Sequence, residues 1–216
     1  MLRLALAFCL LAPPTLAAPS ASLAPSCDGA IAGAEARAHT APGLLRAIGL
    51  VESGRRDPRT SQRRPWPWTV TAEGIGTYYE TKADAIAAVE GLQARGVTSI
   101  DVGCMQVNLQ YHPDAFATLE QAFEPGPNAA YAARFLSALY GKLQDWPAAA
   151  AAYHSFSPGP NGQYAKLIAA VWAGGPVPVI QGANGQEVVR LPGGGQLRVF
   201  RTASGFGRAR VFGLLD

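Results

Sequence analysis

Leu44-Leu45-Arg46-Ala47-Ile48-Gly49-Leu50-Val51-Glu52-Ser53-Gly54 is an apolar segment that closes on a carboxylate. Pro42 stands near its first turn, where the missing amide proton costs nothing, and Gly54 supplies a stop, so the stretch predicts a helix starting at Thr40 and ending at Gly54. Leu45, Ile48 and Glu52 follow at three- and four-residue steps, which places the glutamate on the apolar stripe. A carboxylate drawn onto such a face loses hydration when charged, and its pKa is expected to rise toward ~6, a value suited to a general acid near neutral pH. The blander alternative is a helix-end glutamate paired with one of Arg55, Arg56, Arg59, Arg63 or Arg64, which crowd the loop that follows.

Upstream, the alanine-rich residues 28–40 predict a first helix with Asp28 as its N-cap. Downstream, Trp66-Pro67-Trp68-Thr69-Val70-Thr71 and Ile75-Gly76-Thr77-Tyr78-Tyr79 flank Ala72-Glu73-Gly74 and predict a small β-hairpin. Thr81-x-x-Asp84 resembles a capping box for a helix to about Arg95, ended by Gly96. Ser99 to Asn108 reads as a short connection. A short helix near 118 and longer ones over 127–144, 146–156 and 161–172 follow. The expectation is a mainly α domain over 27–174 carrying a small hairpin insertion. Beyond it, Gly182-Ala183-Asn184-Gly185 and Gly193-Gly194-Gly195 interrupt short apolar runs, so 175–216 is expected to be a Gly/Pro-rich tail, either disordered or forming short hairpins.

A hydrophobic fraction of 49% with 15% charged residues in 216 excludes a wholly disordered chain. The net charge of +3 is too small for a nucleic-acid partner. Five arginines against Glu187 and Asp216 put that whole excess in the tail, which reads either as an anionic envelope contact or as a solubilising extension. At the other end, Arg3, the apolar run Leu4–Ala12 and Pro13-Pro14-Thr15-Leu16-Ala17-Ala18 have the layout of a signal peptide over 1–18, implying export to the periplasm. That run is too short to span a bilayer, and none later is longer, so no transmembrane segment is expected in the mature chain. Cys9 would leave with the signal, and the remaining Cys27 and Cys104 are expected to form a disulfide in an oxidising compartment, with two free buried thiols as the alternative. His39, His112 and His154 fit no zinc-ligand spacing, so no metal and no cofactor are expected. An oxidised Cys104 is no thiol nucleophile, and the triple glycine lacks the lysine of a phosphate-cradling loop.

Three motifs carry a resemblance. Leu44 to Gly54 resembles the catalytic Glu-Ser motif of the soluble lytic transglycosylase family, which has a goose-type lysozyme-like fold. Ser99-x-Asp101-Val102-Gly103-Cys104-Met105-Gln106-Val107-Asn108 is similar to its second motif, usually Gly-Leu-Met-Gln followed by isoleucine or valine, and Ala152-Tyr153-His154 stands in the place of its third, usually Ala-Tyr-Asn. Their order over residues 42–172 is far more specific than any one alone. The resemblance implies that Glu52 is the single acid and base, that Ser53, Met105, Gln106 and Asn108 belong to the sugar site, and that Tyr153 sits close to the carboxylate; His154, which titrates near neutrality as asparagine does not, is either a substrate contact or a surface histidine. It further implies cleavage of the peptidoglycan MurNAc–GlcNAc bond to a 1,6-anhydro end, and places such proteins at times beside a flagellar, pilus or secretion apparatus. Cys104 stands where leucine is common, which a disulfide pinning the motif loop to the first helix would explain. His154 stands where asparagine is common. Asp57 and Asp101 are the acids able to turn the chemistry toward a lysozyme-type muramidase, and a non-catalytic peptidoglycan-binding assembly factor is the reading from another class. Trp66, Trp68, Tyr78 and Tyr79 on the hairpin either face sugar rings or pack the fold.

Overall fold

The computed structural model describes residues 26–154, 160–182 and 185–203. The expected signal peptide, Ser155–Gly159 and the last arginines of the expected tail lie outside the described residues. Among the described residues 47% are helical and 20% are in strands.

Seven helices are described: α1 (Cys27–Ala38), α2 (Leu44–Ser53), α3 (Lys82–Ala94), α4 (Leu119–Ala122), α5 (Pro125–Leu143), α6 (Trp146–His154) and α7 (Pro160–Trp172). Ser26, not Asp28, is the N-cap of α1; Asp28 lies in the first turn and reaches Arg46 of α2 at 3.4 Å. The second helix starts later than its proline suggested, because Gly43 turns the chain in the left-handed region at φ 80°. It borrows its cap from α1: the Glu35 carboxylate accepts the Leu45 and Arg46 amides at 2.7 and 3.3 Å. Helices α1, α5 and α7 pack on α2, whose Leu44, Leu45, Ile48 and Val51 join Ile31, Leu136, Leu167 and Ile168 in the main core. The helix bearing Glu52 is therefore the central one, buried on most of its circumference. At Gly49 a Cβ would sit 3.1 Å from Ile31 and 3.2 Å from Met105 and Pro65, so a larger residue there would push these neighbours back from α2 by a few tenths of an ångström.

The β structure is larger than a small hairpin. The arginine-rich loop is a ribbon of β1 (Gly54–Arg56) and β2 (Arg63–Pro65). The predicted hairpin is present as β3 (Thr69–Ala72) and β4 (Ile75–Tyr78), turning through Glu73 and Gly74 at φ 52° and 79°, the paired left-handed residues of a type I′ turn. The connection around Cys104 adds β5 (Ile100–Val102) and β6 (Val107–Asn108), and the expected tail adds β7 (Val179–Gln181), β8 (Glu187–Arg190) and β9 (Gln196–Thr202). Together they form a mixed sheet in the order β6-β5-β3-β4-β9-β8-β7, with β9 parallel to β4 from Ile75↔Val199 to Tyr78↔Thr202.

The described part of 175–216 is thus no appendage. Its glycines mark turns between strands, and the free edge of β4 gives its backbone groups a partner. Val189 and Phe200 are fully buried, and the Phe200 ring stacks on Tyr78 at 4.9 Å and 11°. A second core of Val70, Ala85, Val89, Ile100, Val102 and Phe123 fixes α3 and α4 against the sheet. No helix among the described residues is long and apolar enough to cross a membrane.

Candidate active site

The last turn of α2 delivers Glu52 to the wall of a cleft of about 540 Å³. Asp101, Gln106, Asn108, Tyr153, His154 and Arg198 line it too, and Tyr111, His112, Tyr131 and Phe135 add an aromatic wall. Glu52 is 1% exposed. The Tyr164 hydroxyl, from α7, donates to its Oε1 at 2.7 Å, and Arg198 of β9 brings Nη2 to 2.5 Å from Oε2. Nδ1 of His154 is 3.8 Å from Oε1, and its ring stacks on Tyr164 at 4.5 Å.

Burial, and then the Glu52 charge, push the Tyr153 and Tyr164 phenols well above the ordinary range, so both act as neutral donors. Burial pulls His154 below its ordinary 6.5 despite the attraction of Glu52, leaving the ring neutral at neutral pH. For Arg198 burial acts downward, but Glu52 and Asp101 outweigh it and hold the guanidinium above its ordinary value.

The second motif is a rigid loop beneath the cleft. Gly103 and Gln106 take left-handed φ values of 82° and 50°. The Ser53 hydroxyl donates to the Cys104 carbonyl at 2.6 Å, the Tyr153 hydroxyl donates to the Met105 carbonyl at 2.8 Å, and the Met105 amide donates to Asn128 Oδ1 at 2.8 Å. A Cys27–Cys104 disulfide ties the loop to the start of α1. Gln106 donates from Nε2 to the Thr69 and Gly103 carbonyls, both at 3.1 Å, and accepts from the Thr71 hydroxyl. Asn108 donates to Asp101 at 2.7 Å.

Of the residues expected at the sugar site, Gln106, Asn108, Tyr153 and His154 line the cleft with Glu52. Ser53 and Met105 are fully buried beneath it and hold the frame. Asp57 lies in the turn between β1 and β2, accepting the Arg59 amide at 2.7 Å, whereas Asp101 faces the cleft and meets Arg198 at 3.1 Å. The aromatic residues of the hairpin pack the fold: Trp66 donates to the Tyr79 carbonyl at 2.7 Å and carries the Arg55 guanidinium 4.4 Å from its ring centre. Tyr164 and Arg198 were not singled out from the sequence. Tyr164 follows no chemical pattern of its own. Arg198 did leave a signal, because strand alternation puts it on the same face as the buried Phe200.

Comparison with known proteins adds one match. No curated protein and no solved structure matches the chain. The family model described as "Transglycosylase SLT domain" matches residues 29–162, well over half of the 216. The match runs from the first helix through all three motifs, and the chain belongs to this family of peptidoglycan lytic transglycosylases.

Proposed function

We propose that the protein acts in the periplasm, after loss of a signal peptide over 1–18, and cleaves the MurNAc–GlcNAc bond of peptidoglycan with Glu52 as acid and then base. The observation that carries the reading is a carboxylate buried on the cleft wall, the one fully buried carboxylate among the described residues, held at Oε1 by a neutral phenol. Glycosidic cleavage requires protonation of the leaving oxygen and stabilisation of an oxocarbenium-like C1. Protonated Glu52 gives its proton to the bridging oxygen as the C1–O bond breaks, and the GlcNAc hydroxyl leaves. The MurNAc C6 hydroxyl then attacks C1, and Glu52 takes the hydroxyl proton back. No water is consumed, the ring closes to 1,6-anhydroMurNAc, and Glu52 is again protonated. The Tyr164 hydrogen bond fixes the rotamer of the carboxyl group throughout, while Gln106, Asn108, Tyr153 and His154 offer polar edges and ring faces to the sugars.

A second reading rests on Asp101, which shares the Arg198 guanidinium with Glu52. With Asp101 activating water, the enzyme is a muramidase and leaves reducing ends. Mass spectrometry of the muropeptides released from sacculi tests both. Anhydro ends that disappear in Glu52→Gln establish the first reading, reducing ends that disappear in Asp101→Asn establish the second, and undiminished digestion by Glu52→Gln sinks the role of Glu52.

A further inference from the structure

The proposed reaction needs an oxygen of Glu52 open to the glycosidic bond, and both are occupied. Tyr164 holds Oε1, and the Arg198 guanidinium lies 2.5 Å from Oε2 while reaching Asp101 Oδ2 at 3.1 Å. Arg198 is 10% exposed at its side chain, so this is a seated group and not a passing surface arginine. Its fit is incomplete: Oε2 is buried with no aligned hydrogen bond, and the buried Nε–H of Arg198 has no hydrogen-bond partner. Charge attraction, rather than a satisfied hydrogen-bond network, therefore holds the contact.

Two chemical conflicts follow. A leaving-group oxygen cannot reach Oε2 through the guanidinium, and a fixed cation beside C1 opposes the positive charge that develops there. Tyr164 creates neither conflict, because it is neutral and lies on the other carboxylate oxygen.

We infer that β9 is an autoinhibitory latch, closed when Arg198 sits on Glu52 and open when β9 carries it out of the cleft. The inference rests on the role proposed for Glu52. The architecture suits such a motion, since β7, β8 and β9 pair with one another but join the rest of the sheet through β9 alone. That seam includes four residue pairs with β4, the Phe200 ring over Gly76 and stacked on Tyr78, the burial of Val189 and Phe200 in the main core, a 3.2 Å contact from Arg201 to Thr77, and the Arg63–Glu187 ion pair at 2.6 Å. Gly174, in the left-handed region at φ 91°, lies in the connection that leads from α7 to these strands.

Gly76 offers a way to open the latch without touching the charges. A Cβ there would stand 2.3 Å from the Phe200 ring, and its φ is one that alanine tolerates, so Gly76→Ala unseats β9 from β4. The test uses full-length wild type, Arg198→Gln, Gly76→Ala, Glu52→Gln and the Glu52→Gln/Arg198→Gln double variant. Two quantities are read on purified sacculi: the initial rate of muropeptide release, and binding by co-sedimentation. If the open state is about a tenth populated or less, Arg198→Gln and Gly76→Ala digest about tenfold faster than wild type or more. Glu52→Gln digests nothing yet binds more tightly than wild type, because its ion pair is gone, and the double variant binds no more tightly than Glu52→Gln. A folded Arg198→Gln or Gly76→Ala that digests no faster than wild type overturns the latch. So does a Glu52→Gln that binds no better than wild type. Should Arg198→Gln fail to fold, Gly76→Ala and the Glu52→Gln binding decide. Should Glu52→Gln still digest, it is the proposed role of Glu52 that fails, and the binding comparison alone judges the latch.

Discussion

Replacing Asn128 by alanine would test whether the motif loop is built as described. Asn128 is fully buried on α5 and makes three hydrogen bonds: its Nδ2 donates to the Val102 and Ala122 carbonyls at 3.0 Å each, and its Oδ1 accepts the Met105 amide at 2.8 Å. Removing the amide leaves one N–H and two C=O groups buried without that partner. At about 1–3 kcal/mol for each orphaned group, with some relief from relaxation, the loss comes to about 4 kcal/mol. For a chain of this size each kcal/mol moves Tm by about 2–4 °C, so a fall of about 8–16 °C is expected. Asn128→Asp keeps the acceptor for Met105 but turns a carboxylate oxygen toward two carbonyls, and should fall at least as far. Gly103→Ala should share the part of its penalty that comes from Asn128, because its Cβ would stand 2.4 Å from Asn128 Nδ2, and add to it the backbone strain of a non-glycine residue at φ 82°. The assay is thermal unfolding followed by circular dichroism at low scan rate, without reductant. An Asn128→Ala protein that melts within about 3 °C of wild type would refute the claim that this side chain carries the loop.

Three further outcomes are expected. Cys27 and Cys104 are 77 residues apart, so in the chain-entropy model Cys27→Ala/Cys104→Ala loses about 4.5 kcal/mol in urea unfolding, and an unchanged midpoint would show that the crosslink contributes nothing. Tyr164→Phe removes one hydrogen bond to the carboxyl group and should slow muropeptide release about tenfold or more while the protein stays folded; an undiminished rate refutes a positioning role. For His154 the folded-state pKa is depressed below 6.5, so the unfolded chain binds more protons, and the ring's contribution to stability is complete above pH 6.5 and is lost as pH falls through the folded value. His154→Asn should therefore flatten the fall of Tm below pH 6.5, and equal slopes in the two proteins would exclude the histidine as a source of acid sensitivity.

The helical half of the fold was legible because its signals are local. Leu45, Ile48 and Glu52 share a face by spacing alone, and Thr81 caps α3 through the Asp84 amide at 3.1 Å, as the capping-box pattern implies. The sheet was not legible beyond its first hairpin. Nothing near Ile75–Tyr78 specifies a parallel partner at 199–202, and the glycines around β7, β8 and β9 resemble linker composition when no partner strand is visible. The same limit shaped the site. Glu52, Gln106, Asn108 and Tyr153 lie in motifs, whereas Tyr164 and Arg198 reach the carboxylate from elements 112 and about 146 residues away along the chain. Counting the tail's arginines as peripheral charge failed for Arg198, because charge counting ignores which strand face a residue occupies.

Pairing β4 with β9 also sets an order of events. Joining residue 75 to 199 closes a loop of about 120 residues, a closure that costs about 4 kcal/mol of chain entropy before any contact repays it. The neighbouring pairs α5–α6, α6–α7 and β3–β4 close far shorter loops and should form first, whereas β9 on β4, like α7 on α2 with Tyr164 112 residues from Glu52, is a slow, non-local step. Amide exchange should show the core helices α2 and α5 protected up to global unfolding, and β7, β8 and β9, which join the rest of the sheet through β9 alone, opening earlier as one cooperative unit. The last strand made would then be the first to leave.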